Sequence, residues 1–171
     1  MILCPPHPMF GGSRYDARLV HLAKELGRSG ISALCIDYGK YGGGAREARD
    51  VMAAISHMKG EAKKLGVLGY SFGAVVSSNA VAQSPHKIDG YVAMSILKRI
   101  EKVSADLSSN CPKLMIHGRK DPLAPFKDFE SLFSDAKGEK EQFVLETDHF
   151  YGGVMDLVSE RVCDFFRRVL L

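Results

Sequence analysis

Several features that define common protein classes are absent from this chain of 171 residues. No apolar stretch approaches the roughly 20 residues of a transmembrane helix, and the apolar residues 1–4 are too few for the core of a secretory signal. We find no internal repeat, low-complexity tract or linker. These absences argue against a membrane protein and a repeat array, and we expect a soluble chain with no membrane partner.

Cysteine is sparse and carries no recognisable spacing. The four cysteines show no C-x-x-C pattern, and most of them lie in apolar stretches: Cys4, Cys35, Cys111 and Cys163. Free, buried thiols in a reducing compartment are favoured over disulfides, so we expect a cytoplasmic location. No cluster of His, Cys, Asp or Glu has the spacing of metal ligands, and we therefore expect no metal ion and no cofactor.

Positive charge is slight and scattered. The formal net charge is +3, and the basic residues occur as separate doublets, such as Lys63-Lys64 and Arg167-Arg168, rather than as a run. This pattern argues against a nucleic-acid partner. With 46% hydrophobic residues, the chain is long enough to bury a sizeable core, and we expect one globular domain over residues 1–171.

Short apolar runs alternate along the chain with helical patterns. The runs predict six strands, at residues 2–4, 31–36, 64–69, 90–94, 113–117 and 141–146. Ser13 and Asp16 are placed to cap the first helix, and Gly30 to end it. The alternation predicts an α/β fold: a doubly wound, mostly parallel sheet of about six strands with helices on both faces. Residues 95–111 are long enough for a loop and at most a short helix, which leaves almost no room for a lid domain.

The most informative motif is Gly69-Tyr70-Ser71-Phe72-Gly73. This G-x-S-x-G follows one apolar run and begins another, which is the strand, sharp turn and helix that expose a nucleophilic serine. The motif alone is weak, because glycine and serine are common. Three further motifs follow strands, namely the segments 7–12, 117–121 and 148–149. Ligand sites of doubly wound sheets lie at those strand ends, which supports a site there.

Ser71 needs a base, because a serine hydroxyl is a poor nucleophile near neutral pH. His149 follows the last strand and is predicted to accept the proton from Ser71. Asp121 is predicted to bond the other ring nitrogen of His149. Asp148 is the rival for this role, but a residue adjacent in sequence normally directs its side chain elsewhere.

Two backbone N–H groups are expected to stabilise the negative charge that develops on the substrate oxygen. Phe72, which follows the nucleophile, supplies the first. Met9 is preferred for the second, with Phe10 as the alternative, because Pro8 has no N–H. His7 is interpreted as a structural residue of the same loop rather than as a second base.

Aromatic residues near these motifs predict a partly apolar substrate cleft, with Tyr38, Tyr70 and Phe150 as contacts. Core packing is the equal alternative for the phenylalanines. The glycine-rich segment 37–44 has neither dinucleotide-binding nor P-loop spacing, so a mobile loop at the pocket edge is favoured over a phosphate cradle.

Taken together, these residues resemble the α/β-hydrolase superfamily over nearly the whole chain, including its order of Ser, Asp and His. Segments 7–13 and 148–151 resemble small, lidless serine hydrolases of the dienelactone-hydrolase type. Dienelactone hydrolases proper carry a cysteine where this chain has Ser71, so that specific activity is not carried over. The resemblance implies a minimal α/β-hydrolase fold and an esterase or thioesterase acting on a small-molecule substrate.

Two alternatives to the esterase hypothesis remain. A peptidase or amidase would use the same residues, although no peptide pocket is apparent in the sequence. A non-catalytic protein could keep the fold only to bind a partner. The complete set of Ser71, Asp121 and His149 argues against that alternative, since a disused site is free to lose a member.

Overall fold

A six-stranded parallel sheet forms the centre of the molecule in the computed structural model, which describes all 171 residues. The strands, numbered along the chain, are β1 (Ile2–Cys4), β2 (Leu34–Cys35), β3 (Gly66–Tyr70), β4 (Gly90–Met94), β5 (Arg99–Ile100), β6 (Val103–Ser104), β7 (Lys113–Gly118) and β8 (Lys140–Leu145). The order in the main sheet is β2-β1-β3-β4-β7-β8. The winding direction therefore reverses between β1 and β3, and open α/β sheets bind ligands at such a point.

Five α-helices cover the two faces of this sheet. They are α1 (Ala17–Arg28), α2 (Ala45–Glu61), α3 (Phe72–Gln83), α4 (Phe126–Asp135) and α5 (Met155–Leu170), and a 3-10 turn, Pro8–Phe10, follows β1. Helices α1 and α5 lie on one face, and the other three lie on the opposite face. This arrangement confirms the predicted doubly wound α/β fold. None of the helices has the length and apolar character that crossing a bilayer requires.

Two hydrophobic cores hold the layers together. Because side chains alternate along a strand, Leu68 and Val92 point towards α1 and α5, whereas Val67 and Ala93 point towards α2, α3 and α4. Helix α3 is buried at nine of its 12 positions, as its apolar sequence predicts. The four cysteines are free thiols.

Two details at the first helix differ from the prediction. Strand β2 covers only residues 34–35 of the predicted 31–36, because the N–H of Ile31 bonds to Leu26 at the end of α1. The cap of α1 is Asp16 alone, whose carboxylate accepts the N–H of Arg18 at 3.0 Å. Ser13 instead accepts an N–H in the turn before the helix.

The segment 95–111 contains no helix and forms a small antiparallel hairpin, β5–β6. The hairpin turns at Glu101, which has a positive φ of 45°. It packs against α3, where the side-chain amide of Asn79 donates to the carbonyl of Ser104 at 2.8 Å. After the hairpin, the N–H of Asp106 donates to Ser78, so the segment stays attached to α3 and adds no lid domain.

Candidate active site

Ser71 occupies the sharp turn between β3 and α3. Its φ and ψ of 56° and −118° are unusual for a residue with a side chain, so the turn is strained. The N–H of Ser71 donates to the carbonyl of Met94 at 2.8 Å, which ties the turn to the neighbouring strand. The hydroxyl group is thereby directed to the carboxyl edge of the sheet, where 9% of the residue is exposed.

The flanking glycines permit this turn because there is no room for a side chain at either position. A Cβ at Gly69 would lie 2.3 Å from Oγ of Ser77, and one at Gly73 would lie 2.3 Å from the carbonyl oxygen of Cys4. Helix α3 can therefore approach β1 and β3 only if both positions lack a side chain.

His149 lies on the loop after β8 and reaches the serine directly. Its Nε2 is 2.9 Å from Oγ of Ser71, and the residue is 3% exposed. The hydroxyl of Tyr70 donates to the backbone carbonyl of His149 at 2.9 Å. On the same loop, the hydroxyl of Tyr151 bonds the carbonyl of Ile116 and the side chain of Ser95. The two buried tyrosines thus fix the position of the imidazole loop.

Asp121 contacts the far side of the same imidazole. Its Oδ2 is 2.7 Å from Nδ1 of His149, and its Oδ1 accepts the N–H groups of Leu123 and Ala124 at 2.9 and 2.8 Å. Burial opposes ionisation of the carboxyl, but these hydrogen bonds outweigh it and lower the pKa of Asp121. Asp148 is exposed and accepts the N–H of Phe150 instead, with no hydrogen bond to the imidazole.

The three predicted catalytic residues therefore form one hydrogen-bonded series, Ser71–His149–Asp121, built from loops that follow β3, β8 and β7. Such a series can transfer a proton from the hydroxyl to the imidazole, while the carboxylate stabilises the resulting imidazolium.

The predicted oxyanion donors lie on both sides of the switch point. Phe72 is the first residue of α3, and the first N–H groups of a helix have no partner within it. On the 3-10 turn, the N–H of Met9 donates to Nδ1 of His7 at 3.2 Å, and that of Phe10 donates to the carbonyl of His7 at 3.0 Å. Because its bond is longer, the N–H of Met9 is the less firmly bonded of the two.

The predicted substrate contacts fall in three different environments. Tyr38 is partly buried, donates its hydroxyl to the carbonyl of Pro5 and lies edge-on to Phe72. Tyr70 is 1% exposed and lies behind His149, so its predicted substrate contact is wrong and its role is to support the loop. Phe150 is 53% exposed and lies edge-on to His149, which leaves a ring surface free beside the site.

Glu47 organises the glycine-rich loop, and the sequence analysis missed it. Its fully buried carboxylate accepts the N–H groups of Gly42 and Gly44 at 2.7 and 2.8 Å. These two N–H groups are already satisfied, which leaves them unable to cradle a phosphate. The sequence did contain a sign of this role. A glutamate lies three residues after the last glycine of the loop, and a glutamate at that position often accepts backbone N–H groups at a helix N-terminus.

No group of three His, Cys, Asp or Glu side chains lies close enough together to hold a metal ion.

Together, the doubly wound sheet and the serine turn define an α/β-hydrolase fold. The chain belongs to the dienelactone hydrolase family, whose model matches residues 40–154. This membership supports hydrolase activity and confirms the predicted resemblance. No curated protein sequence matches the chain.

Solved structures with the same fold cover almost the whole chain. A homologue of α/β serine hydrolases from Coxiella burnetii has a TM-score of 0.86 and 22% identity, over 96% of this chain and 83% of its own. A serine hydrolase without a lid from Xanthomonas campestris has a TM-score of 0.81 and 20% identity, over 99% and 81%. An esterase from Pyrococcus furiosus has a TM-score of 0.86 and 19% identity, over 99% and 82%. At such identities, these similarities establish the fold.

Proposed function

We propose that the chain is a serine hydrolase that cleaves carboxylic esters or thioesters of small substrates through an acyl-enzyme. The observation that carries this proposal is the continuous series of hydrogen bonds from Ser71 through His149 to Asp121, with distances of 2.9 and 2.7 Å. Membership of a hydrolase family supports the same conclusion independently.

In the proposed reaction, Oγ of Ser71 attacks the substrate carbonyl carbon, and its proton passes to Nε2 of His149. Asp121 keeps the proton of the imidazole on Nδ1 before attack and stabilises the imidazolium afterwards. When the tetrahedral intermediate collapses, His149 returns the proton to the departing alcohol or thiol. Water then attacks the acyl group with the same base, which releases the acid and restores Ser71.

The negative oxygen of the tetrahedral intermediate requires donors that are already in place. The N–H of Phe72 fits this role because it begins α3 beside the nucleophile and no helical carbonyl accepts it. The N–H of Met9 is the proposed second donor. Its bond to Nδ1 of His7 is long, at 3.2 Å, so this N–H can be shared between that nitrogen and the oxyanion, whose charge makes it the stronger acceptor.

A fluorophosphonate probe tests this proposal, because it reacts with a serine that a base activates and leaves ordinary serines unlabelled. We expect stoichiometric labelling at Ser71 in the wild type and none in Ser71→Ala. We also expect Ser71→Ala to lose ester turnover by roughly 10³-fold or more, with its circular dichroism unchanged. Near-normal turnover by a folded Ser71→Ala variant would refute the proposal.

Ser159 provides a matched control, because it is also in contact with a histidine. Its Oγ lies 3.1 Å from Nε2 of His21, and Asp156 approaches the same nitrogen. The opposite ring nitrogen therefore has no carboxylate to orient it, and Ser159 already donates to backbone carbonyls. Ser159→Ala should retain both labelling and turnover. A panel of matched esters, thioesters and anilides then separates an esterase from an amidase.

A further inference from the structure

A line of hydrogen bonds joins the β5–β6 hairpin to the turn that carries Met9. The hydroxyl of Tyr41 donates to the carboxylate of Glu101, and its oxygen lies 3.3 Å from Nε2 of His7. Nδ1 of His7 in turn accepts the N–H of Met9 at 3.2 Å. We call these four residues, Glu101, Tyr41, His7 and Met9, the hairpin relay. They come from three separate segments of the chain.

One arrangement of protons satisfies every bond of the hairpin relay. A backbone N–H can only donate, so Nδ1 of His7 must be unprotonated to accept from Met9. The neutral imidazole then carries its proton on Nε2 and donates it to the oxygen of Tyr41. Tyr41 retains its own proton, because the hydrogen bond to Glu101 raises the pKa of Tyr41 to about 12. The carboxylate at one end therefore favours the same tautomer of His7 that the N–H of Met9 requires at the other.

The imidazole of His7 is also held in its neutral form. Burial lowers its pKa, and this effect outweighs the opposing influence of Glu101 and Glu47. The ring packs between Phe10 and Phe72, with centroid distances of 4.7 Å to each. His7 therefore lies against the residue that follows the nucleophile, and the orientation of its ring bears directly on the oxyanion site.

The turn of Met9 and Phe10 is held by its own backbone hydrogen bonds and by contact with the ring of His7. Their side chains are 65% and 87% exposed, so neither is buried in the core, and the ring of His7 is the side chain against which Phe10 packs. The glycine-rich loop approaches the hairpin closely, since a Cβ at Gly43 would lie 2.4 Å from Oε2 of Glu101. This close approach brings Tyr41 within reach of both the carboxylate and the imidazole.

We propose that Tyr41 and Glu101 are positioning residues for the hydrolysis reaction, which hold His7 in the tautomer that orients the Met9 N–H. This inference rests on the proposed function, in which that N–H is the second oxyanion donor. Donors contribute most when they are oriented before charge develops. Loss of the relay should therefore weaken binding of the transition state and leave binding of the ground-state substrate unchanged.

The first test removes only the phenolic oxygen. In Tyr41→Phe the ring still packs beside His7, and we expect kcat for a small ester to fall about tenfold at unchanged KM, the value of one hydrogen bond. The affinity for a trifluoromethyl ketone, which forms a tetrahedral oxyanion on Ser71, should fall by the same factor. Tyr15→Phe is the matched control, since Tyr15 is 73% exposed and its hydroxyl makes no hydrogen bond. Unchanged kcat in Tyr41→Phe would overturn the inference.

The second test asks whether Glu101, at the other end of the relay, acts as a hydrogen-bond acceptor or through its negative charge. Glu101→Ala should lower kcat as Tyr41→Phe does, whereas Glu101→Gln keeps an oxygen acceptor and should restore most of it. The double variant Tyr41→Phe/Glu101→Ala should be no slower than the slower single variant, because the two residues act through one path. A double variant that shows the product of the two losses would overturn the relay.

Nitrogen-15 NMR of the imidazoles reports the tautomer of His7 independently of catalytic activity. His7 should carry its proton on Nε2 in the wild type, and this preference should weaken in Tyr41→Phe. A wild-type His7 protonated on Nδ1 would overturn the relay while labelling at Ser71 left the proposed function intact. Absence of labelling at Ser71 in the wild type would refute the proposed function, and the inference would fail with it.

Discussion

Two aspartates at the carboxyl edge of the sheet differ in what their side chains contact. Asp121 bonds His149 and two backbone N–H groups, whereas Asp148 accepts only the N–H of Phe150. A backbone contact of that kind shapes a turn but leaves the imidazole unaffected. The geometry therefore supports Asp121 over Asp148 as the proposed partner of His149, in agreement with the argument from sequence adjacency.

Asp121→Asn should slow ester turnover by roughly 10⁴-fold, as in the serine-protease triad, because the amide favours the wrong tautomer of His149. Asp148→Asn should change turnover by less than about tenfold, since an asparagine oxygen still accepts the N–H of Phe150. Steady-state kinetics of both folded variants provide the test. The reverse ranking would transfer the role of the acid to Asp148.

His117 lies beneath the Asp121 turn and is fully buried. Its Nε2 is 2.9 Å from the carbonyl oxygen of Ala124, whereas its Nδ1 has no hydrogen-bond partner. A proton added to Nδ1 would meet no acceptor, and burial lowers the pKa of His117 from its ordinary 6.5. Between those two pKa values the unfolded chain binds more protons than the folded one.

The free energy of unfolding should consequently decrease as the pH falls below 6.5 towards the folded pKa of His117. The contribution is fully present above pH 6.5 and is lost on acidification. In His117→Gln, which can still donate to Ala124, the pH dependence should be shallower. Urea denaturation at about pH 7.5 and pH 5 measures the change in the free energy of unfolding between these two values. His57→Gln, at an exposed histidine, is the control. If the free energy of unfolding depended equally on pH in both variants, the attribution of this dependence to His117 would be contradicted.

Among the elements, the serine turn has no room for a side chain at its glycines. A Cβ at Gly73 would meet two carbonyl oxygens, those of Cys4 and Pro5, at 2.3 and 2.4 Å. Backbone atoms of a central strand cannot move aside as a flexible side chain can. Gly27, in α1, has nothing within 4 Å of the corresponding position, and the two glycines form a matched pair.

Gly73→Ala should destabilise the protein by about 3 kcal/mol and abolish turnover, because α3 must move away from β1. Gly27→Ala should stabilise it by about 0.5–1 kcal/mol, because alanine favours the helix. Urea denaturation of both variants checks the contrast. A free energy of unfolding for Gly73→Ala within about 0.5 kcal/mol of the wild type would show that the clash is relieved cheaply.

Elements with many buried residues were predictable, and those defined by edge contacts were not. The apolar run 90–94 is a central strand, and the pattern alone gave its bounds correctly. Strand β2 is shorter than predicted, because its length is set by its pairing with β1, which is limited to Leu34 and Cys35. The β5–β6 hairpin depends on contacts with α3. A local pattern carries no information about such partners.

The same distinction applies to the candidate site. Motif order was enough to select Ser71, Asp121 and His149, because each follows a strand of a predictable sheet. Tyr70 was misassigned because burial behind the imidazole is a property of the folded chain. The hairpin relay joins Tyr41 to residues 34 and 60 positions away, and nothing in the sequence indicates that pairing.

At the scale of the whole molecule, the site lies at the switch point of the sheet and faces outward. Met9, Phe10 and Phe150 expose more than half of their surface around it. The only additional structure between β4 and β7 is a hairpin anchored to α3 and to the glycine-rich loop. No element is available to close over Ser71, and a bound acyl chain would remain largely in contact with water.

An open cleft has a direct consequence for selectivity. Each methylene that is buried contributes about 0.8 kcal/mol, or roughly fourfold in affinity, and this gain is lost where the chain remains hydrated. We expect kcat/KM for p-nitrophenyl esters to change less than about fourfold for each added methylene beyond butyrate, with small soluble esters hydrolysed best. Rates should depend only on the concentration of dissolved substrate, because interfacial activation requires a lid that opens on lipid. A steep preference for long acyl chains, or a jump in rate above the solubility limit, would mean that Ser71 has a cover which the hairpin and the exposed rim do not provide.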